Sequence, residues 1–416
     1  MKRIIICTAV IAVVGAAFLI PEKTIPLVAE NLGFATAQLK IQSQEAEKNP
    51  LSFPRTINAK GEMIGTNMYD WTSGFFPGNL WYAYEFTREE SIKKAAIRWT
   101  ERLEPLQYFT RHHDLGFMMY CSYGNAYRLT GDEKYKAILV QSAKSLATRF
   151  NPKVKSIKSW EGFRSWSDQK RYNFPVIIDN LMNLELLFFA TKVTGDANYR
   201  DIALQHAETS LKYHIRPDFS SYHVVCYDTA TGGVTGQETG QGYSNNSTWS
   251  RGQAWGIYGF LTVYRETKDM RYLQVAEKMA DWVLEPGRLP ADFVPYWDYN
   301  AYQEGFQPGI HSNAFLYRGM PRDASAAAIM ASGLLELSTY STKGKKYRDA
   351  AEKMLQSLSG KAYQADAGTN GHFILKHSVG SIPHGVELDV PLVYADYYYL
   401  EALLRLDKLS RGGSLF

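Results

Sequence analysis

Cysteine is scarce: the 416-residue chain has 3, and one of them, Cys7, lies in an apolar N-terminal run. The other two, Cys121 and Cys226, make no disulfide framework, so stability must come from core burial, and the sequence leaves open whether they pair. Charge of one sign is lacking too. Lys and Arg number 46 against 42 Asp and Glu, a formal net of +4, too small to suggest a nucleic-acid groove. A composition 45% hydrophobic and 21% charged, with no long hydrophobic run beyond the N-terminus, excludes a disordered chain and a polytopic membrane protein. Metal-ligand spacing is missing as well. The nine His include no His-Glu-x-x-His, His112 and His113 are adjacent and expected to point in different directions, and His223-x-x-Cys226 stands without partners. Gly240-x-Gly242 lacks the strand and helix of a dinucleotide loop, and no Gly-x-Ser-x-Gly elbow occurs, which disfavours nucleotide binding and serine-hydrolase chemistry. No metal and no cofactor are expected.

Present instead are 28 Tyr, 20 Phe and 9 Trp, flat apolar faces with polar edges that suit sugar binding and ordinary cores alike. The N-terminus has an export layout: Lys2 and Arg3, the uncharged apolar run Ile4 to Ile20, and small residues Gly15, Ala16 and Ala17 near its end. It predicts a signal peptide over 1–21 and a secreted, periplasmic mature chain with no membrane association; a retained N-terminal anchor is the alternative.

One phrase recurs: Thr130-Gly131-Asp132 with Tyr135, Thr194-Gly195-Asp196 with Tyr199, Thr267-Lys268-Asp269 with Tyr272, and Thr342-Lys343-Gly344 with Tyr347, with a fainter copy from Thr87 to Leu103. Apolar stretches precede each turn (117–129, 181–193, 252–266, 324–339) and Lys/Glu-rich amphipathic stretches follow (136–150, 200–214, 273–284, 348–358), while 393–406 reads as one more apolar helix. Each phrase reads as a tight helical hairpin, in which Gly of the Thr-Gly-Asp turn ends one helix in left-handed backbone and Asp caps the next. Apolar inner and charged outer helices in five or six hairpins predict an all-α fold, an (α/α)6 barrel, as a single domain over 22–416. The long connections 151–178, 215–250, 285–322 and 360–392 would then gather at one rim and build a pocket.

Two carboxylates stand at helix starts on that rim, Asp114 and Asp179. Each is either a helix cap or half of an acid/base pair. The apolar flank Val176-Ile177-Ile178 favours Asp179 as a proton holder, because desolvation and a neighbouring carboxylate both raise an acid's pKa. Asp323, before an Ala-rich helix, reads most simply as a cap.

These acids are embedded in the phrases Arg-His-His-Asp-Leu-Gly-Phe (111–117) and Ile-Ile-Asp-Asn-Leu-Met (177–182). With Asp-Trp-Thr-Ser-Gly-Phe-Phe-Pro-Gly (70–78), the segment from Gly240 to Gly256, Pro-Arg-Asp-Ala-Ser (321–325) and His-Ser-Val-Gly-Ser-Ile-Pro (377–383), the chain resembles the unsaturated glucuronyl hydrolase family, over residues 60–410. The resemblance implies an (α/α)6 barrel and a substrate bearing the C4=C5 double bond that a polysaccharide lyase leaves, an unsaturated uronyl di- or oligosaccharide. It implies Asp179 as the acid that protonates C4 and then activates the water that attacks C5, with Asp114 supporting the charged sugar. Substrate contacts would come from His113, His223, Thr239, Gln241, Arg251, Ser378 and Ser381, and aromatic walls from Trp71, Phe75 and Trp255; Arg251 is expected to offer its guanidinium fork to the uronate. Trp160, Trp166 and Trp249 are further stacking candidates, and Arg164, Lys170 or Arg171 could meet a sulfate. The rival readings are an unsaturated rhamnogalacturonyl hydrolase and a noncatalytic periplasmic sugar-binding protein.

Overall fold

The computed structural model describes residues 24–416, so the leader predicted over 1–21 lies outside the described residues. Six inner helical stretches form a closed ring: Phe75–Thr87, the run 115–130, Leu184–Thr194 with its leading turn Ile178–Asn183, Ser250–Thr267, Ala324–Tyr340 and Val393–Ser410. Each packs on the next, and the last packs on the first. Six outer helices surround them: Pro26–Ala46, Glu90–Glu101, Glu133–Ala147, Ala197–Tyr213, Met270–Val283 and Gly344–Leu358. The fold is an (α/α)6 barrel. Its two layers differ as the sequence pattern demands. Outer helix Glu90–Glu101 buries Ile92, Ala95, Ala96, Trp99 and Thr100, one stripe at helical spacing. Inner helix Ala324–Tyr340 instead buries every residue from Ala324 to Leu337, being packed on all sides.

The recurring Thr has a definite task. The hydroxyls of Thr87, Thr130, Thr194 and Thr267 each donate to a carbonyl one turn back and accept the N–H of the residue two places on, stitching both sides of the turn. Between them Gly131 and Gly195 adopt φ of 70° and 76°, and Arg88 and Lys268 take the same left-handed state at 58° and 59°. Asp132, Asp196 and Asp269 then cap the next helix by accepting the N–H two residues on. The fourth copy departs from this geometry. There Ser341 ends the inner helix in extended backbone and its hydroxyl accepts from Lys343 N–H, while Gly344 is the first residue of the outer helix.

One outer helix, Pro26–Ala46, carries no such phrase and was not expected from the sequence; it packs on the inner helices Phe75–Thr87 and Val393–Ser410. The long connections gather at the rim where the inner helices begin, as expected, and form small sheets. The largest has three antiparallel strands, Pro175–Ile177, Val224–Tyr227 and Val234–Glu238. A hairpin of Ser378–Ser381 and Val386–Val390 lies across the same rim. Cys121 and Cys226 are both buried and unbridged.

Candidate active site

Strand pairing sets Asp179. Ile177 lies opposite Val224, and Ile178 N–H donates to the carbonyl of His223 at 3.0 Å, so the residue after Ile178 faces the residue before Val224. Asp179 Oδ1 is 3.8 Å from His223 Nε2, and neither atom has a hydrogen-bond partner. His223 Nδ1 accepts the backbone N–H groups of Gly240 and Gln241, each at 3.0 Å. An imidazole nitrogen that accepts two N–H groups holds no proton, so the ring proton is on Nε2 and points at Asp179. Asp179 does not cap its helix: it sits inside the 3-10 turn Ile178–Asn183 and makes no cap bond. Burial pushes its carboxyl up to about 7; Arg251 opposes the rise and Asp114 adds to it.

Asp114 precedes the inner helix that starts at Leu115, and its side chain caps nothing. The two histidines before it do not diverge as expected; both reach its carboxylate. His112 Nδ1 lies 3.2 Å from Oδ2 and His113 Nε2 3.3 Å from Oδ1, because the chain turns tightly at the helix start. His113 Nδ1 faces the Asn183 amide at 3.4 Å. Since Asn183 Oδ1 is occupied by Phe117 N–H at 2.8 Å, it is the NH2 that donates to Nδ1, and His113 too carries its proton on Nε2. Gly116 makes this approach possible, for a Cβ there would stand 2.5 Å from the Asn183 Cα. Burial favours protonation of Asp114, but His113 and His112 outweigh it and hold the acid below the usual carboxylate range. Burial holds His113 neutral, at about 4. The site therefore contains one carboxyl that keeps its proton near neutrality and one that does not, the division of labour that general acid/base work requires.

Arg251 differs from expectation. It is 1% exposed, and its fork is taken by Asp323 at 3.0 Å and by the carbonyls of Val379 and Gly380. Its Nη1 is fully used, so an end-on clamp through both NH2 groups is closed, while Nε keeps an unpartnered N–H. Instead Arg251 ties the inner helix to the Ser378–Ser381 strand and places a buried positive charge near Asp179. Asp323 also caps its helix through the N–H groups of Ser325 and Ala326, as read from the sequence. Thr239 is a turn former, its hydroxyl accepting Gly242 N–H at 2.8 Å. Gln241 reaches the Gly380 carbonyl at 3.1 Å, and Ser381 Oγ lies 2.6 Å from His384 Nδ1. Ser378 Oγ is buried and unpartnered.

Of the three expected walls, Trp71 alone keeps exposed area. Phe75 and Trp255 are fully buried and support the wall from below, through Phe117, Tyr394 and Tyr398. Trp249 stacks on His223 at 4.5 Å, and Trp160 meets the same ring edge-on at 6.3 Å. Trp166 donates to the Gly240 carbonyl at 3.0 Å. Arg164 and Arg171 are exposed on one hairpin, and Lys170 lies over the Tyr172 ring at 4.7 Å. Among the described residues, no three His, Cys, Asp or Glu side chains are grouped to hold a metal ion.

Sequence reasoning missed Tyr394, Asn183 and His112. Tyr394 stacks on Trp71 at 4.8 Å, lies under Arg251, and buries an unpartnered hydroxyl. Its signal was faint, a Tyr in the tyrosine-rich start of the last inner helix. Buried polar atoms are normally satisfied, and here several are not: Asp179 Oδ1, His223 Nε2, His112 Nδ1, His113 Nε2, Ser378 Oγ, Tyr394 Oη and the indole nitrogen of Trp249. Such a cluster fits a polyhydroxylated ligand, which supplies the missing partners.

The chain is similar to known proteins along most of its length. The family model Glycosyl Hydrolase Family 88 matches residues 46–266. An unsaturated glucuronyl hydrolase of Formosa agariphila is 46% identical over 385 residues, 91% of this chain and 92% of that protein. The crystal structure of an unsaturated glucuronyl hydrolase specific for heparin superposes with a TM-score of 0.84 at 45% identity, covering 92% of this chain and 98% of the other. An aspartate-to-asparagine variant of the Streptococcus agalactiae enzyme, complexed with dGlcA-GalNAc6S, superposes with a TM-score of 0.75 at 32% identity, covering 92% and 91%. This chain belongs to glycosyl hydrolase family 88, the unsaturated glucuronyl hydrolases.

Proposed function

We propose that this glycoside hydrolase removes the 4,5-unsaturated uronic acid from the nonreducing end of lyase-generated glycosaminoglycan disaccharides, with Asp179 and Asp114 as its catalytic residues. The observation that carries the assignment is the state of Asp179: a carboxyl raised to about 7 by burial, its Oδ1 without a hydrogen-bond partner, beside an acid that two histidines keep ionised. Such a group can give a proton to carbon and take one from water within a turnover.

The chemistry then balances as a hydration. Asp179 passes its proton to C4 of the vinyl ether, and positive charge develops at C5 and the ring oxygen, where Asp114 opposes it. Water adds its hydroxyl to C5 while its proton returns to Asp179. The hemiketal at C5 opens, the ring falls apart, and the glycosidic link is released. His223 turns its Nε2–H towards Asp179 Oδ1 across 3.8 Å, and the unpartnered hydroxyls of Ser378 and Tyr394 receive the sugar. Similarity to enzymes named for glucuronyl and chondroitin substrates favours this reading over the rhamnogalacturonyl alternative, and an acid buried at energetic cost has no use in a pure binder.

Running the reaction in deuterium oxide tests the scheme. NMR of the product should show deuterium at C4 and a carbonyl carbon at C5. Release of the uronate without deuterium at C4 would exclude protonation at that carbon. Export rests on Lys2, Arg3 and the run Ile4–Ile20 alone; the N-terminal sequence of protein recovered from the periplasm tests it, and a chain beginning at Met1 in the cytoplasm would refute it.

A further inference from the structure

His112 is unused by the scheme above, yet it touches one of the two acids. Its side chain is 20% exposed. Nε2 lies 3.1 Å from the carbonyl of Tyr69, and Nδ1 lies 3.2 Å from Asp114 Oδ2. Both partners are acceptors only. Nδ1 makes no hydrogen bond, and Asp114 Oδ2 stands at ion-pair distance from it; with Nε2–H given to the Tyr69 carbonyl, a neutral ring would turn its Nδ1 lone pair towards a carboxylate oxygen 3.2 Å away, whereas the imidazolium places a positive charge there. The remaining groups around the ring do not reverse this. His113 is neutral, the Phe109 ring meets the imidazole edge-on at 4.8 Å, and Arg149, the nearby cation, is itself bound to Glu161 at 2.9 Å and to the Thr110 carbonyl.

We propose that His112 is a positioning residue which, as an imidazolium bridging the Tyr69 carbonyl and Asp114, fixes the rotamer and the negative charge of Asp114 for the hydration step. Burial opposes the charge, but the Asp114 carboxylate and the Tyr69 carbonyl prevail and lift the ring above its ordinary pKa. Tyr69 is two residues from Trp71, so the same bridge holds the aromatic wall in register with the acids. The inference rests on the roles given above to Asp114 and Asp179, and it predicts a division among the histidines: His113 and His223 neutral, His112 charged.

Nitrogen NMR of imidazole-labelled wild-type protein, with His112→Gln used for assignment, reads this directly. His112 should be doubly protonated at pH 7, with a midpoint above the free-histidine value of about 6.5, and Asp114→Asn should lower that midpoint. Kinetics supply the second reading. His112→Gln should move the acidic limb of the kcat/KM profile upward, because Asp114 then keeps its proton to higher pH, and should lower kcat about tenfold with little change in KM. His112→Lys, which restores a cation, should bring the acidic limb part of the way back. A neutral His112 at pH 7, or an acidic limb unmoved in His112→Gln, would overturn the proposal. The NMR reading does not depend on turnover, so a wild type inactive on unsaturated sugars would sink the proposed function and leave the charge of His112 still measurable.

Discussion

Asp179 Oδ1 and His223 Nε2 stand 3.8 Å apart, and neither has a hydrogen-bond partner. The backbone N–H groups of Gly240 and Gln241 decide which His223 nitrogen carries the proton, so a loop that touches neither acid sets what faces the candidate proton donor.

Activity should fall on both sides of a pH optimum. Asp179 must be protonated to act, so kcat/KM should decline as pH rises through about 7. Asp114 must be ionised, and its pKa is lowered, so the acidic limb should lie below the usual carboxylate range near 4. A pH–rate profile flat from 6 to 8.5 would contradict the first half.

The buried acid should cost stability. The folded-state pKa of Asp179 is raised above its unfolded value of 3.8, so the unfolded chain loses its proton first and stability falls as pH rises from about 4 through about 7. The loss reaches on the order of 4 kcal/mol above neutrality. Asp179→Asn cannot ionise. It should melt higher than wild type at pH 8 by calorimetry, with the gap closing towards pH 4.

Arg251→Lys should be poorly tolerated. An ammonium cannot meet Asp323 and two carbonyls in the same plane, and breaking a buried pair costs about 3–5 kcal/mol. Denaturant unfolding should show most of that loss, accompanied by lower activity because the Ser378–Ser381 strand is no longer tethered. A variant as stable as wild type would show that the guanidinium is not the tether.

The turn hydroxyls offer a cleaner stability series. Thr130→Ala, Thr194→Ala and Thr267→Ala each remove one hydroxyl that bonds on both sides of a turn and should each cost about 1 kcal/mol, adding nearly independently because the turns are separate. Thr342→Ala lies in the copy whose work Ser341 has taken over, and should change stability by less than about 0.5 kcal/mol.

The barrel was legible because its signal is local. A Thr that bonds backward and forward, a left-handed residue and a capping Asp lie within three positions, and Tyr135, Tyr199, Tyr272 and Tyr347 are each buried two to three residues into an outer helix. Helix 26–46 escaped because it has no preceding turn and buries Asn31, Gln38 and Gln42 alongside its apolar residues, which blurs the stripe. In the site, Asp179 could be picked out from its apolar flank, since burial follows from the neighbouring residues. Arg251 could not be placed, because its partner Asp323 is 72 positions away and the carbonyls it binds come from a further strand. The turning of His112 and His113 onto one acid was equally hidden: it depends on where Tyr69 and Asn183 sit, and no spacing in the sequence records that.

The central claim is that Asp179 is the acid of an alkene hydration. Wild type and Asp179→Asn should be mixed with a panel of unsaturated uronyl disaccharides, sulfated and unsulfated, while the ultraviolet absorbance of the conjugated alkene is followed. Decay with wild type and none with Asp179→Asn is the predicted result, and the order of rates across the panel names the preferred substrate. Full turnover by Asp179→Asn, or no decay with wild type on any member, would contradict the account.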